Sequence, residues 1–318
     1  MGPVLCLISA AAFGAMAVFG KFAYQEGVST PALLLVRFGL AAALLAALHL
    51  ARPGRRWRAG PRVLVTALAM GAVGYATQAG LYFAALRIMD APLLSLILYT
   101  FPVLVTVTAV LLGRDRLTPG RVIALLVASC GTLLVLLGTG GVAFEPLGAV
   151  LAFGSAVTYT VYILVADTVV QRIPPVPLAA LVMAGAFLTF AGYALLTGTV
   201  ALTFGWRGWF WLLCIAAVST VLAQVTFFAG LRRTGPSAAA ILSTFEPVVT
   251  TALAALTLHE VLTPIQLAGA LLVLASAAAL QLRRRDPLPT AAGRPPRATS
   301  QSAAHPTSPH PAPPADRV

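Results

Sequence analysis

The sequence is dominated by stretches of about 20 apolar residues separated by short polar or Pro/Gly-containing junctions. Such a stretch is long enough to cross a bilayer as a helix that rises 1.5 Å per residue. Ten can be placed, at about residues 3–24, 32–51, 62–84, 91–112, 119–139, 146–168, 176–197, 206–230, 236–258 and 263–282. Since only helices and closed barrels satisfy their backbone in lipid, the pattern predicts an all-α integral membrane protein with ten transmembrane helices.

Composition excludes a soluble core. The chain is 59% hydrophobic and 9% charged, whereas soluble domains carry about 25% charged residues. The net charge of +12 is typical of nucleic-acid-binding proteins, but here the basic residues form short clusters between apolar runs, so we expect no nucleic-acid partner. The cysteines Cys6, Cys130 and Cys214 lie in apolar runs without metal-ligand spacing, which predicts buried thiols, no disulfide, no metal and no cofactor.

The first apolar run resembles a signal peptide because it ends in a short Ala-x-Ala sequence. It lacks a positively charged n-region, and its apolar character continues to about Ala23. We therefore interpret it as a retained transmembrane helix.

Arginines in alternate junctions predict the orientation, because cytoplasmic loops carry an excess of Lys and Arg. One side of the membrane collects Arg52, Arg55, Arg56, Arg58, Arg62, Arg114, Arg116, Arg121, Arg172, Arg232, Arg233, Arg283, Arg284 and Arg285. The other side has only Lys21, Arg87 and Arg207. Both termini are therefore predicted to be cytoplasmic. The Pro/Ala/Ser/Thr-rich tail, residues 283–318, is predicted to be a disordered cytoplasmic extension.

An internal repeat divides the chain. A shift of 145 residues superimposes Ala85-Leu86-Arg87 on Gly230-Leu231-Arg232, Phe101-Pro102-Val103 on Glu246-Pro247-Val248, and Leu117-Thr118-Pro119 on Leu262-Thr263-Pro264. Each copy holds five helices, an odd number, so the second copy enters the membrane inverted. We predict two inverted five-helix repeats, 1–139 and 146–282, an architecture found in many secondary transporters.

Five of the predicted helices carry a polar or aromatic stripe at helical spacing. The stripes are Tyr75, Gln78 and Tyr82; Ser95, Tyr99 and Thr106; Ser155, Tyr159 and Tyr162; Thr220, Gln224, Phe227 and Phe228; and Ser243, Glu246 and Thr250. A single Ser or Thr in such a stripe is commonly a helix-packing residue. Large polar groups in corresponding helices of both repeats favour a shared central cavity instead. The predicted substrate-binding residues are Gln78, Tyr82, Tyr99, Tyr159, Tyr162, Gln224, Phe228, Ser243 and Glu246.

Glu246 is the one acid predicted near the middle of a span. A charged side chain there costs about 2.5 kcal/mol or more, so it should face protein or water. The next residue, Pro247, interrupts the helical hydrogen bonds, and the repeat places Phe101 and Pro102 at the same two positions. The kink is therefore shared by both repeats, whereas the acid is not. Two roles stay open: a proton-coupling or substrate-amine-binding carboxyl, or a protonated acid that hydrogen-bonds to a neighbouring helix.

Other charged residues have less specific interpretations. Lys21 and Arg37 are predicted to lie near one end of their helices, where they would extend to the headgroups, or Arg37 would pair with Glu26. His259 and Glu260 resemble the start of a zinc motif, but no second histidine follows at the required spacing. We interpret them as loop residues.

These features resemble the EamA family of the drug/metabolite transporter superfamily over about residues 1–282. The resemblance is carried by Phe13-Gly14, Lys21, Arg37, and the matched segments Pro102 to Asp115 and Pro247 to Glu260, each followed by leucine and then Thr-Pro. Phe13 replaces a more usual tryptophan, and Arg114 a more usual glycine. The resemblance implies a ten-helix bundle that moves small metabolites through a central cavity lined by helices 1, 3, 4, 6, 8 and 9.

The expected function is secondary transport of a small amphipathic metabolite, such as an amino acid, by alternating access. Export is expected from the resemblance alone, and Glu246 is the candidate for proton coupling. Membrane lipids and a small-molecule substrate are the expected partners, a homodimer is left open, and the Lys-poor, Ala/Arg/Gly-rich composition suggests the cytoplasmic membrane of a bacterium. A lipid-modifying membrane enzyme would need clustered acids or a nucleophile-base pair, which the sequence lacks. A non-transporting scaffold that uses the tail is the other alternative.

Overall fold

The computed structural model describes residues 1–51, 60–86, 88, 94, 97–115, 118–137, 145–198, 200–258 and 263–282. Within these ranges the regular structure is helical and contains no strand. Six of the described helices are long and apolar enough to cross a membrane: Gly2–Gln25, Thr30–Leu50, Pro61–Tyr82, Pro146–Val169, Pro175–Thr197 and Trp206–Thr234. The all-helical class predicted from the sequence is confirmed, in the form of a multi-pass membrane protein.

The helices of the first half, residues 1–137, lie close to the predicted runs. They are α1 Gly2–Gln25, α2 Thr30–Leu50, α3 Pro61–Ala69, α4 Ala76–Leu86, α5 Phe101–Leu111 and α6 Pro119–Leu137. Proline occupies the first turn of α1, α2, α3 and α5, where its missing N–H costs no intrahelical hydrogen bond.

The second half, residues 146–282, repeats this series. Its helices are α7 Pro146–Val169, α8 Pro175–Thr197, α9 Trp206–Ala216, α10 Ala223–Thr234, α11 Pro236–Ser243, α12 Glu246–Leu258 and α13 Pro264–Leu282. Four pairs of helices begin 145 residues apart: α2 and α8, α3 and α9, α5 and α12, and α6 and α13. The 145-residue shift read from a few short motifs thus also relates the helix starts.

Each half contains one π-helical turn inside a long helix. Met70–Tyr75 joins α3 to α4, and Ala217–Leu222 joins α9 to α10. A π turn widens the helix locally and is frequent at functional sites. The two turns fall at nearly the same place after the 145-residue shift, so both halves have this irregularity in the same helix.

Each half also breaks a helix before a proline-containing start. The chain forms a turn at Tyr99 and Thr100 before α5, and a turn at Thr244 and Phe245 between α11 and α12. These turns are 145 residues apart, and the residue after each is followed by proline. Because proline has no N–H to donate, each break coincides with a lost hydrogen bond in the helix.

Packing between the halves comes in exchanged pairs. Helix α1 packs against α10 and α12, and its counterpart α7 packs against α4 and α5, the counterparts of those two. The pairs α2 with α8 and α6 with α13 each join two counterparts directly. Residues related by the shift therefore meet equivalent surfaces.

Two glycines allow α8 to approach α3 and the π turn that follows it closely. A Cβ on Gly71 would overlap the Val182 carbonyl, and one on Gly185 would overlap the Leu68 carbonyl. Small residues are favoured at membrane helix interfaces because they bring backbones together. The π turn at 70–75 is thus pressed directly against α8.

In each half, a serine of the first helix donates a hydrogen bond to a backbone carbonyl of the other half. Ser9 Oγ donates to the Ala223 carbonyl at 2.8 Å, and Ser155 Oγ donates to the Gln78 carbonyl at 3.0 Å. Gln78 and Ala223 are related by the 145-residue shift and follow the two π turns. The hydrogen bonds between the halves therefore repeat as the helix contacts do.

The structure corrects one expectation about the cysteines. Cys6 is buried and Cys214 is partly buried, but Cys130 is exposed. On a membrane helix an apolar position that faces lipid is exposed in the protein alone, so apolar sequence did not predict protein burial here. Predictions for Arg87, Ser95, His259, Glu260 and residues 283–318 lie outside the described residues.

Candidate functional site

Tyrosine and phenylalanine rings form a continuous cluster where the halves meet. Tyr75 stacks on Tyr162 with ring centroids 5.4 Å apart, and Tyr162 stacks on Tyr159 at 6.0 Å. Tyr159 packs edge-on against Phe101 at 4.8 Å, and Phe101 lies 6.0 Å from Tyr99. This aromatic cluster contains three of the predicted substrate-binding residues: Tyr99, Tyr159 and Tyr162.

A buried arginine lies at one end of the aromatic cluster. Arg37 is 3% exposed. Its Nε donates to Thr220 Oγ1 at 2.8 Å, and its Nη2 donates to the Tyr75 hydroxyl at 3.0 Å. Tyr75 and Thr220 are related by the 145-residue shift, and each belongs to the π turn of its half. Arg37 therefore binds equivalent points of the two halves at once.

The expectation for Arg37 was wrong. It neither extends to the membrane surface nor pairs with Glu26, whose carboxylate lies 4.0 Å from Arg207 instead. Counting from the end of its helix suggests a superficial position, but α2 packs against the π turn of the second half, and Arg37 also bonds Tyr75 of the π turn in the first half. Lys21, by contrast, is exposed.

Glu246 lies at the other end of the aromatic cluster, at the start of α12. Glu246 is partly buried, and its carboxyl accepts a hydrogen bond from the Tyr99 hydroxyl. The same carboxyl interacts electrostatically with Arg37. Gly14 of α1 packs against the same place, since a Cβ there would be 2.8 Å from the Glu246 carbonyl oxygen. Thr250 Oγ1 donates to the carbonyls of both Gly14 and Glu246, at 3.0 and 3.1 Å.

Both predicted glutamines bond to α7. Gln78 Nε2 donates to Ser155 Oγ at 3.2 Å. Gln224, which is buried, donates from Nε2 to the Tyr162 hydroxyl at 2.6 Å. Each amide thus holds a side chain of α7, and Gln224 positions Tyr162 of the aromatic cluster.

The remaining predicted site residues occupy different surroundings. Phe228 is fully buried and lies 6.4 Å from Tyr162, behind the aromatic cluster. Tyr82 packs on a smaller apolar group formed by Ala85, Leu94 and Ala152. Ser243 donates its hydroxyl to the Ala239 carbonyl of its own helix at 3.0 Å. Their roles in binding stay predictions.

Arg37 and Phe101 are the principal site residues that were not predicted. The useful signal was present for both, because the repeat places Arg37 opposite Val182 and Phe101 opposite Glu246. A large chemical difference between residues at equivalent positions indicates that the two halves have different roles at that place. The sequence prediction used this difference for Phe101 and Glu246 but not for Arg37 and Val182.

Comparison with known proteins identifies the family. The model of the EamA-like transporter family matches residues 1–137 and again residues 146–281. The chain belongs to the EamA-like transporter family. The resemblance to the EamA family of the drug/metabolite transporter superfamily is thereby confirmed.

A solved structure shares the fold of this EamA-like transporter. A protein described only as "Crystal structure of protein" superimposes with a TM-score of 0.73 at 22% identity, covering 89% of this chain and 98% of that chain. A comparison with curated proteins found no match. The structural likeness therefore supports the fold, and substrate identity has to be argued from the site.

Proposed function

We propose that this protein is a secondary transporter that exports a small amphipathic metabolite, such as an amino acid or a related compound, by alternating access. The observation that carries the proposal is the position of Glu246, which lies beside an aromatic cluster at a helix break. Aromatic rings can hold the apolar part of a solute, while a few polar groups orient the rest. The EamA-like family membership supports transport as the class of function.

The proposal includes a topology. Ten transmembrane helices would form two inverted repeats, 1–139 and 146–282, with both termini and the tail 283–318 in the cytoplasm of a bacterial cell. The exchanged helix contacts and the matched helix breaks support this arrangement. In such folds one repeat rocks against the other around a site near the middle of the membrane.

Glu246 is proposed as the proton-coupling residue. It is a carboxyl with a tyrosine hydroxyl partner and with no described cation at ion-pair distance. A group placed this way can bind and release a proton as the two halves move. The acid at the helix break of the second half supplies the coupling, while its counterpart Phe101 belongs to the aromatic cluster.

The first experiment is a ligand screen of the purified protein by thermal unfolding. A ligand at 100 times its dissociation constant stabilises the folded state by about 2.7 kcal/mol, which gives a measurable rise in Tm. Amino acids, nucleobases, sugars and cationic drugs would be compared. Stabilisation by amino acids or related compounds supports the proposed substrate class, and stabilisation by sugars alone contradicts it.

Glu246→Gln tests the coupling. Uptake of the best ligand into proteoliposomes should be accelerated by a proton gradient in the wild type and lose that acceleration in the variant. Exchange of labelled for unlabelled solute needs no net proton movement and should survive. Glu26→Gln, in an exposed ion pair, is the matched control. A gradient response unchanged by Glu246→Gln would end the coupling proposal.

A further inference from the structure

The charge of Arg37 is incompletely satisfied by the described residues. Its hydrogen-bond partners, Thr220 and Tyr75, are neutral hydroxyls. No carboxylate of the described residues lies at ion-pair distance from it. A guanidinium carries five N–H donors, so two hydrogen bonds leave three donors for another acceptor.

Neutral hydroxyls compensate a buried cation poorly. Charged groups inside proteins and membranes are normally paired with an opposite charge, because desolvation is costly. Glu246 is the acid of the site, but Tyr99 is the hydrogen-bond partner of its carboxyl, and Arg37 acts on it only through space. The described residues therefore place the Arg37 cation in the site without an anion paired to it.

The shape of the guanidinium specifies which anion would fit. Its planar fork matches a carboxylate through two parallel hydrogen bonds, which are stronger than bonds between neutral groups. Thr220 and Tyr75 hold the fork on one side. The group is thus oriented before a solute arrives, which lowers the entropy lost on binding.

The groups around Arg37 offer apolar surface for the rest of such a solute, since the Phe38 ring centroid lies 5.0 Å from its Cζ. Its Cζ lies 5.9 Å from the Tyr75 ring centroid, and Tyr75 stacks on Tyr162. The arginine is therefore continuous with the aromatic cluster. It also touches both halves through residues related by the repeat, which is where inverted-repeat transporters bind their solutes.

We propose that Arg37 is a specificity-determining residue that binds a carboxylate of the transported solute. The protein then selects carboxylate-bearing solutes over amides of the same shape. This inference rests on the proposed transport function and goes beyond it by naming the recognised group and the residue that recognises it. An aminated solute can place its ammonium toward Glu246, but carboxylate recognition requires only Arg37.

The test compares acids with their own amides. Uptake of leucine, methionine and phenylalanine into proteoliposomes that contain the wild type is compared with uptake of the amide of each. Binding of the same solutes to the purified protein is measured separately by thermal unfolding. The wild type should prefer an acid to its amide by at least tenfold. Arg37→Gln should lower uptake of the acid to the level of the amide, while the amide is affected little.

Arg37→Lys separates recognition from folding. It keeps the charge but removes the planar fork, so affinity for the acid should fall about tenfold while affinity for the amide stays the same. Thr220→Val removes one acceptor of Arg37 and keeps the guanidinium; this variant should lower Tm yet retain the preference for the acid. Arg207→Gln, at an exposed arginine, should change neither quantity.

Each result decides between the two proposals. An unchanged ratio of acid to amide in both Arg37 variants overturns carboxylate recognition and leaves the transport proposal standing. Equal uptake of acid and amide by the wild type also overturns carboxylate recognition and leaves the transport proposal standing. Absence of uptake of every acid and amide overturns this inference together with the proposed substrate class. A purely structural role for Arg37 would lower Tm without moving the ratio.

Discussion

Where α7 meets the break before α5, Tyr159 packs against Phe101 at 4.8 Å. Where α1 meets the break before α12, the equivalent residues are Gly14 and Glu246, and the glycine lets the two backbones approach closely. The helices and the contact are the same in both places. The α7 contact is filled by two aromatic rings. The α1 contact consists of a glycine, which has no side chain, and a glutamate.

Arg37 gives a second difference of the same kind. Its counterpart in the other half is Val182, whose carbonyl would be overlapped by a Cβ on Gly71. Val182 of α8 thus packs against a glycine of a π turn. At the equivalent position of α2, Arg37 instead donates hydrogen bonds to residues of both π turns. The repeated fold thus positions equivalent backbones, while the cation comes from the first half and the acid from the second.

The difference teaches that a pseudosymmetric scaffold can hold a chemically asymmetric site. A rocking motion needs equivalent packing surfaces in the two halves, but solute recognition needs different groups at the two ends of the solute. Substitutions at equivalent positions can separate these demands. Substitutions at three places, with expected effects from the largest to the smallest, test the separation: Gly71, Tyr99, and the serine pair Ser9 and Ser155.

Gly71→Ala should be the most damaging of the three. The new methyl group would overlap the Val182 carbonyl, so α8 or the π turn must shift. Overpacking of this kind costs about 1–3 kcal/mol, and more where backbone is displaced. We expect a lower Tm and a reduced yield of folded protein, measured by thermal unfolding and gel filtration in detergent.

The matched control for this change lies in the next helical segment. Gly80→Ala adds the same methyl group where, beyond the neighbouring residues and backbone of its own helix, no atom of the described residues lies within 4 Å, and it should leave Tm nearly unchanged. The counterpart of Gly71 is Ala216, which already carries a Cβ, so the close approach belongs to one half only. Equal Tm values for Gly71→Ala and Gly80→Ala would refute the packing described for α8.

Tyr99→Phe should affect transport more than folding. It removes the hydroxyl that bonds the Glu246 carboxyl, and hydrogen bonds to charged groups are worth about 1.5 kcal/mol or more. We expect gradient-driven uptake to fall about tenfold. Thr244 is the counterpart of Tyr99, but its hydroxyl donates to the Ile241 carbonyl within its own segment at 2.7 Å.

Comparison of the two hydroxyls sharpens this prediction. Thr244→Val should leave the gradient response intact, because its hydrogen bond does not reach the acid. If both variants reduced gradient-driven uptake equally, the effect would belong to the helix breaks in general. The special role of the Tyr99–Glu246 contact would then have to be given up.

Ser9→Ala and Ser155→Ala should have the smallest effects. Each removes a hydrogen bond to the other half, and such bonds average about 0.6 kcal/mol in membrane proteins. Ser155 also accepts a bond from Gln78, so its variant should lose more than the Ser9 variant. Unfolding in denaturant measures both, and a larger loss at Ser9 would contradict the equivalence of the two contacts.

Much of the fold followed from the sequence because hydrophobic length is a local property. A helix that crosses lipid must be apolar over about 20 residues, and proline marks its ends and breaks. The starts of α2, α3, α6 and their counterparts therefore lie within two residues of the predicted positions, whereas α5 and α12 begin inside predicted runs, at the breaks. The repeat predicted the matched breaks before Phe101 and Glu246 for the same reason, since Pro102 and Pro247 are visible in the chain.

The site was only partly predictable from the sequence. Residues spaced along one helix face indicated Tyr159, Tyr162 and Gln224, because helical spacing shows which side chains lie together. It does not show which face is covered by protein. Lipid is as apolar as leucine, so an apolar face can turn outward, as at Cys130, and a polar residue near a helix end can turn inward, as at Arg37.

The sequence by itself thus determined helical spans, the 145-residue repeat, the breaks at the prolines and the chemical difference between Phe101 and Glu246. Only the tertiary structure decided that Arg37 is buried between Tyr75 and Thr220, and that the two π turns meet it. The physical reason is that helix formation depends on near neighbours along the chain. The environment of a charge depends on which helices lie against it, and those helices are far away in sequence.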